Sequence, residues 1–332
     1  MAGHESEMMS ELINMTWYMC MYSLMAVPLT LSYRTSRVLN FAHGVYITIG
    51  AYIPVLISKG LGIKVPIPLA LFTSFATGAL LAVITHILVF SPLIKRRSAP
   101  VTLMIASMGA WIFIKYMFYA LLGVLQKMWM TPLFYTSPNI DIPSTITLVG
   151  ISVDTKFLFA LTLTSIVFLL LTLFLTKTKT GMAIRAVADN LELAQISGIS
   201  RERTLVITWA ISGGLAAIGG LIWSLFAYVS PETGDSVILQ VFACSVIGGL
   251  VNLPLTFVGS IIISSSENIL IVFLHNYLGT PLSFRPFISF FVLVMTILVR
   301  PPAGAGGGLP YRYFPKFKTL YERALRVKKN NV

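Results

Sequence analysis

Three polar residues interrupt apolar stretches of this sequence and are the side chains best suited to chemistry. Asn40 and His43 open one such stretch, and Glu267 follows three serines in another. Imidazole and carboxyl groups can carry a proton or hold an ion, and ionisable residues within hydrocarbon are rare and usually functional. Two interpretations are open for each site. Asn40 and His43 either form hydrogen bonds between helices or line a permeation path, and Glu267 either pairs with a neighbouring helix or contacts a substrate.

The sequence pattern does not indicate an enzyme. No glycine is followed, four residues later, by Gly-Lys-Ser or Gly-Lys-Thr, so the chain lacks a P-loop for ATP phosphates. It has no His and carboxylate cluster at metal-ligand spacing and no nucleophile elbow. Lys115, His86 and His275 lie nearer to predicted helix ends, where long side chains reach the interface at little cost. We therefore predict no catalytic residue, no metal and no cofactor, and energy must come from another polypeptide.

The chain is a series of apolar segments that could each cross a bilayer. Of its 332 residues, 56% are hydrophobic and 11% are charged, and the mean hydropathy is +0.83. A hydrocarbon core of about 30 Å needs about 20 helical residues per crossing. We predict an all-α polytopic membrane protein, a bundle of about eight or nine transmembrane helices. The predicted crossings are residues 12–33, 38–57, 66–93, 101–122, 157–176, 204–228, 237–250, 255–275 and 287–299.

Two of these crossings have special features. The run 237–250 is short, so residues 237–275 contain either two full crossings or a re-entrant pair. In the sixth crossing, Ser212, Ala216 and Gly220 recur at four-residue spacing. Small residues on one stripe let helices approach closely in lipid, which predicts that this helix is buried in the bundle.

The positions of the charges predict the orientation. The net charge of +12 comes from short basic blocks between apolar runs, so nucleic acid is not needed to explain it. With nine crossings the blocks fall on one side, which the positive-inside rule makes cytoplasmic. We predict an N-terminus outside and a C-terminus inside the cell membrane. Residues 1–11 are then an extracytoplasmic segment, 12–303 the transmembrane domain, and 304–332 a basic cytoplasmic tail that attracts anionic lipids.

A polar, helix-prone segment interrupts the apolar series at residues 177–203. Within residues 181–199, Met182, Val187, Leu191 and Ala194 fall near one helical face, and the polar positions include Arg185, Asp189 and Glu192. Two interpretations are open for this segment. An amphipathic helix of this kind either lies at the membrane interface or fits a groove of a soluble partner.

Several segments together resemble a known family. Residues 39–44, residues 181–199, and the pair Ser230 and Pro231 followed by residues 247–249 are similar to the permease subunits of branched-chain amino acid ABC importers. The similarity extends from about residue 12 to residue 303. It implies separate ABC ATPase subunits, a second related permease subunit and an extracytoplasmic solute-binding protein as partners, in the plasma membrane.

The resemblance also implies roles for individual residues. It makes the polar segment the region that contacts the ATPase, and the matching positions, together with the charged residues beside them, are Arg185, Ala188, Asp189, Asn190, Glu192, Ala194 and Gly198. It places along the translocation route Asn40, Phe41, His43 and Gly44. We also assign to that route Gly248, Gly249 and Glu267. The sequence departs from the family pattern at residues 250–254, and it has Pro302, Ala303 and Gly304 where relatives end their last helix with Pro-Thr-Gly.

These observations predict an importer subunit that translocates a small solute, a branched-chain or related amino acid, using ATP hydrolysed by other subunits. The rival prediction is a self-sufficient, ion-coupled secondary transporter or channel in which His43 and Glu267 carry the ion.

Overall fold

The protein folds as a helical bundle with one small hairpin. The structure, a computed structural model, describes residues 2–142, 145–148 and 151–299. Three predicted features lie outside the described residues. They are the basic tail, 304–332, the departure from the family pattern at residues 302–304, and Met1 of the outer segment.

The elements follow one another along the chain with connections of a few residues, except for the longer one between Trp129 and Thr145. They are α1 (Ala2–Ser36), α2 (His43–Leu61), α3 (Ile67–Lys95), α4 (Pro100–Trp129), β1 (Thr145–Leu148), β2 (Ile151–Asp154), α5 (Thr155–Lys177), α6 (Lys179–Asp189), α7 (Leu191–Ile196), α8 (Arg201–Phe226), α9 (Thr233–Ile247), α10 (Leu253–Leu278) and α11 (Arg285–Val299). Helices α3 and α10 each contain one π-helical turn, at His86–Phe90 and Ser266–Leu270.

The helices confirm the predicted all-α polytopic membrane fold. Seven of those in the described ranges are long and apolar enough to cross a membrane: α2, α3, α4, α5, α8, α10 and the part of α1 from Leu12 to Ser36. Helices α9 and α11 are apolar and shorter. Together these nine helices correspond to the nine predicted segments, although α9 begins at Thr233, four residues before the predicted start.

The hairpin is a feature that the sequence pattern did not predict. Strands β1 and β2 pair antiparallel, with Leu148 opposite Ile151. Their sequences, Thr-Ile-Thr-Leu and Ile-Ser-Val-Asp, are rich in β-branched residues, which favour extended backbone. Each strand has only four residues, so the hairpin leaves the predicted bundle unchanged.

Helix α8 forms the centre of the bundle, as its small residues predict. A Cβ on Gly213 would lie 2.4 Å from the carbonyl oxygen of Gly78 in α3, and one on Gly220 would lie 2.0 Å from that of Ile47 in α2. Ser212 donates a hydrogen bond of 2.7 Å to the carbonyl oxygen of Pro28 in α1. Three helices therefore reach the backbone of α8, and they do so where it has no bulky side chain.

The bundle has two polar ends with different chemistry. At one end, which we call the basic face, α1, α3 and α5 end and α4 and α8 begin. Arg34 pairs there with Asp189 at 2.8 Å, and Lys95 pairs with Glu202. At the opposite face the connection after α4 pairs with the one after α8, where Thr136 and Val229 exchange backbone hydrogen bonds. Which face is cytoplasmic remains a prediction from the positive charges.

Candidate functional site

Helix α2 begins inside the bundle instead of at the basic face. Arg37, with a φ of 57°, turns the chain after α1, and residues 37–42 then run back into the bundle without helical structure. His43, the first residue of α2, places its Nε2 atom 2.8 Å from the carbonyl oxygen of Met25. Met25 precedes the end of α1 by eleven residues, which is about 16 Å of helix. The segment 37–42 therefore runs from the basic face, at Arg37, to membrane depth, at the start of α2.

Side chains satisfy the backbone of this segment, as they must where water is absent. The Ser107 hydroxyl of α4 accepts from the amide of Phe41 at 3.2 Å, and its proton is shared between the carbonyl oxygens of Met104, at 2.7 Å, and Leu39, at 3.1 Å. Asn40 is buried and accepts from the amide of Ala42 at 3.0 Å. The sequence pattern singled out Asn40 and missed Ser107, because nothing in a single sequence links positions 66 residues apart.

Two of the predicted pathway residues, Phe41 and Gly44, contact α9 near the start of α2. Phe41 packs on Phe242 of α9 with ring centroids 5.0 Å apart. The amide of Gly234, the second residue of α9, donates to the Thr48 hydroxyl at 2.9 Å. A Cβ on Gly234 would lie 1.8 Å from the carbonyl oxygen of Gly44. The structure thus brings Asn40, Phe41, His43 and Gly44 together where α2 and α9 both begin, and their role in translocation remains a prediction.

A charged cluster joins α4 to α9 beside these two helix starts. Lys115 Nζ donates to Asp235 Oδ2 at 2.5 Å and lies 3.9 Å from Glu232 Oε1. The Trp111 indole donates to Asp235 Oδ1 at 2.8 Å, and the Tyr119 hydroxyl donates to Glu232 Oε1 at 3.2 Å. The side chains of Lys115, Asp235 and Glu232 are 14%, 23% and 58% exposed. The cluster is therefore open on one side.

The depth of this cluster corrects an expectation. Lys115 is the sixteenth of the thirty residues of α4, about 22 Å along the helix from its start at the basic face. The neighbouring residues Ile112, Phe113 and Tyr116 are apolar or aromatic and exposed. Lys115 thus lies in the middle of an apolar helix and pairs with Asp235 of α9 and with Glu232 just before it, whereas its sequence position favoured a place near a helix end.

Glu267 is buried among three helices. Its Oε2 atom accepts from the Tyr22 hydroxyl of α1 at 2.5 Å, and its Oε1 atom accepts from the Ser289 hydroxyl of α11 at 2.6 Å. Of the two interpretations of Glu267, the structure shows pairing with neighbouring helices, and contact with a substrate remains a prediction. Among the described residues, no group of three or more His, Cys, Asp or Glu side chains could hold a metal ion.

Gly248 and Gly249 form the turn between α9 and α10. The amide of Gly249 bonds to the carbonyl oxygen of Val246 at 2.8 Å, and Gly249 itself has a φ of 66°. A Cβ on Gly248 would lie 2.2 Å from the Thr256 hydroxyl. Both positions therefore require glycine for the turn, and a contact with the solute remains a prediction.

The predicted ATPase-contact segment forms two short helices at the basic face. Helix α6 packs closely on α5, since a Cβ on Gly181 would lie 2.1 Å from the carbonyl oxygen of Phe174. The chain bends at Asn190, whose side chain caps α7 by accepting from the amide of Leu193 at 3.0 Å. Gly198, with a φ of 81°, lies in the connection to α8.

The structure shows which side of the segment packs on the bundle. Of the residues that the sequence pattern placed near one helical face, Val187 and Ala194 are buried against the bundle, Leu191 is partly buried and Met182 is 49% exposed. Leu193 and Ile196, which did not belong to that face, are 61% and 85% exposed. The segment therefore exposes large apolar side chains on the side away from the bundle, at the basic face.

The remaining predicted contact residues divide between the surface and the bundle. Asp189, Asn190 and Glu192 are exposed, Arg185 is partly buried and Ala188 is buried. A cavity of about 570 Å³ lies beside Asp189, between Arg34, Arg37 and residues 251–254. A second cavity of about 630 Å³ lies beside Gln195 and Gly198, against Lys95 and Arg201. Open space thus flanks the segment on two sides.

The family model and two of the relatives that match this chain belong to the same family. The family model of the permease component of branched-chain amino acid transport systems matches residues 12–299. The probable branched-chain amino acid transport permease protein LivH of Methanocaldococcus jannaschii is 34% identical over 281 residues, covering 84% of this chain and 86% of that protein. The high-affinity branched-chain amino acid transport system permease protein LivH of Escherichia coli K12 is 25% identical over 296 residues, covering 84% and 89%.

Proposed function

The chain belongs to the family of permease components of branched-chain amino acid transport systems, and we propose that it forms half of the membrane path of an ABC importer. The solute is a branched-chain or related amino acid, delivered by an extracytoplasmic binding protein. Separate ATPase subunits supply the energy. The observation that carries this proposal is the family match over residues 12–299, which spans every apolar helix of the bundle except the first turns of α1.

The α6–α7 segment is the proposed docking site of an ATPase subunit. Leu193 and Ile196 are large, apolar and exposed at the basic face. An amphipathic helix of this kind fits a hydrophobic groove of a partner, and the charges around it set the orientation. The positive-inside rule supports a cytoplasmic basic face, hence an N-terminus outside and a C-terminus inside.

The contacts of α6 give a route for the coupled motion. Asp189 ends α6 and pairs with Arg34 in the last turn of α1. Helix α1 in turn packs along α8, α9 and α10. An ATPase that pulls or pushes α6 therefore acts on the helices that surround the start of α2. Rigid-body movement of packed helices is a common way to open one side of a site and close the other.

The open side of the cluster at Lys115 supports a second permease subunit. Charged groups at membrane depth almost always face a bundle interior or a water-filled cavity. Glu232 and Asp235 are partly exposed on the surface of this single chain. A second permease that covers the α4–α9 surface would enclose them and would complete a path between the two subunits.

Reconstitution in liposomes tests the proposal against its rival. We expect uptake only when the permease pair, the ATPase subunits, the binding protein and ATP are all present. The rival, an ion-coupled transporter that uses His43 and Glu267, would show uptake under an ion gradient without any ATPase. Uptake of the second kind by the purified chain would overturn the proposed function.

A further inference from the structure

Lys115, Asp235 and Glu232 carry charges of both signs, as a site that binds the ammonium and carboxylate groups of an amino acid must. We propose that these three residues bind the charged groups of the solute, the acids receiving its ammonium group and Lys115 its carboxylate. This inference rests on the proposed function, because it assigns residues to the solute of that importer.

The cluster has an unequal number of charges. Two carboxylates face one ammonium group, with Lys115 Nζ at 2.5 Å from Asp235 and at 3.9 Å from Glu232. Glu232 therefore has an incomplete ion pair and the larger exposed surface, 58% of its side chain. An arriving ammonium group finds a carboxylate that is accessible and not fully paired.

Neutral donors keep the acids in place without neutralising them. The Trp111 indole holds one oxygen of Asp235, and the Tyr119 hydroxyl holds one oxygen of Glu232. Neither donor carries a charge, so the cluster stays negative by one charge overall. Both carboxylates are thereby oriented before a solute arrives, which reduces the cost of binding.

An exchange of partners leaves the net charge of the cluster unchanged during binding. When the ammonium group of the solute pairs with Asp235 and Glu232, Lys115 is released and pairs with the carboxylate of the solute. An unpaired cation at this depth is costly, and in this exchange both ammonium groups have a carboxylate partner. No bond is formed or broken, and no proton has to move.

Apolar residues continue from the cluster along α9. Asp235, Ile238 and Phe242 share a helix face by their spacing, and Phe242 packs on Phe41. Ile238 is partly buried and approaches the place of Gly44. A branched aliphatic side chain of the solute would contact the partly buried Ile238, toward the basic face, while its charged end is held at Lys115.

Uptake by reconstituted complexes of single and double variants tests the inference. We expect Lys115→Met and Asp235→Asn to lower ATP-dependent uptake by roughly tenfold or more. The double variant K115M/D235N removes both charges together and should remain as slow as the single variants. ATP hydrolysis stimulated by the binding protein should stay within about twofold of the unchanged complex, because the α6–α7 segment is intact. The matched controls, Lys127→Met on the same helix and Asp141→Asn at the opposite face, should transport normally.

The outcomes separate this inference from the proposed function. If the unchanged complex shows no ATP-dependent uptake, the proposed function fails. If the unchanged complex transports and the double variant does too, the ion pair is only structural and this inference alone is overturned. Equal losses in the two control variants would overturn it as well.

A second measurement, of Trp111 fluorescence, leaves the charged residues unchanged and so does not depend on whether their variants fold. The Trp111 indole bonds directly to Asp235, so its fluorescence should change when an ammonium group binds there. We expect leucine to change the emission difference between the unchanged complex and its Trp111→Phe variant. Leucinamide and isocaproate each lack one of the two charges and should give a much smaller change. An equal response to all three compounds, or no response to leucine, would overturn the inference.

Discussion

Arg34 and Asp189 connect the end of α1 to the end of α6 through an ion pair of 2.8 Å. The pair joins the first helix of the bundle to the segment that we propose as the ATPase contact. Both side chains are partly solvent-exposed, so the pair adds little to stability. Its position between a docking segment and the core helices indicates a role in transmitting motion.

We expect Asp189→Lys to uncouple transport from ATP hydrolysis. The new ammonium group would face Arg34, and repulsion between the two cations separates α6 from α1. Uptake should fall by roughly tenfold or more, with normal membrane insertion. Asp141→Lys at the opposite face is the control, and the exchanged pair R34D/D189R should recover part of the uptake. Full activity of Asp189→Lys would contradict the coupling role.

The exposed apolar residues of α7 should determine the affinity for the ATPase. Leu193→Asp places a charge where an apolar groove is expected and should weaken ATPase binding by about tenfold or more, since central apolar contacts dominate such interfaces. Pull-down of the purified permease with titrated ATPase gives the affinity. Met130→Asp, at a residue that is even more exposed but lies at the opposite face, should bind as the unchanged chain does. Unaltered binding by Leu193→Asp would place the interface elsewhere.

Glu267→Gln should destabilise the bundle, because the structure shows Glu267 in hydrogen bonds between helices. The amide nitrogen of Gln cannot accept a hydrogen bond, so the Tyr22 or Ser289 hydroxyl loses its acceptor. We expect the free energy of unfolding to fall by about 1–3 kcal/mol. Combined with Tyr22→Phe, the variant should show a non-additive loss in denaturant titrations. Additive losses would mean that the bond between Tyr22 and Glu267 contributes no coupling energy.

The contact between the two helix starts should tolerate no side chain. Gly234→Ala places its methyl group against the Gly44 backbone and has to separate α2 from α9. We expect less folded protein in detergent and little uptake from what remains. Gly109→Ala in α4 meets nothing within 4 Å, and it should keep or raise stability, by at most about 1 kcal/mol. If the two variants have the same melting temperature, the close approach at Gly234 is incorrect.

The sequence was sufficient to predict the helices because their length and apolar composition are local properties. It also singled out Asn40, His43 and Glu267, since polar residues stand out in apolar segments. The late start of α2, at His43, escaped prediction. Residues 38–42 continue the apolar composition of the helix, and composition alone does not show that they are not helical. The cluster at Lys115 escaped because its partner Asp235 is 120 positions away. The outward face of α7 escaped because helical periodicity separates the faces of a segment but does not show which face packs on the bundle.

The most direct test of the account is thiol labelling at position 196. Ile196→Cys places a thiol at an exposed site of α7, while the native thiols Cys20 and Cys244 are buried. We expect a membrane-impermeant reagent to label this thiol only from the cytoplasmic side, and the ATPase subunits to block the labelling. Labelling from outside intact cells, or cytoplasmic labelling that the ATPase leaves unchanged, would contradict the claim that α6 and α7 bind the ATPase inside the cell.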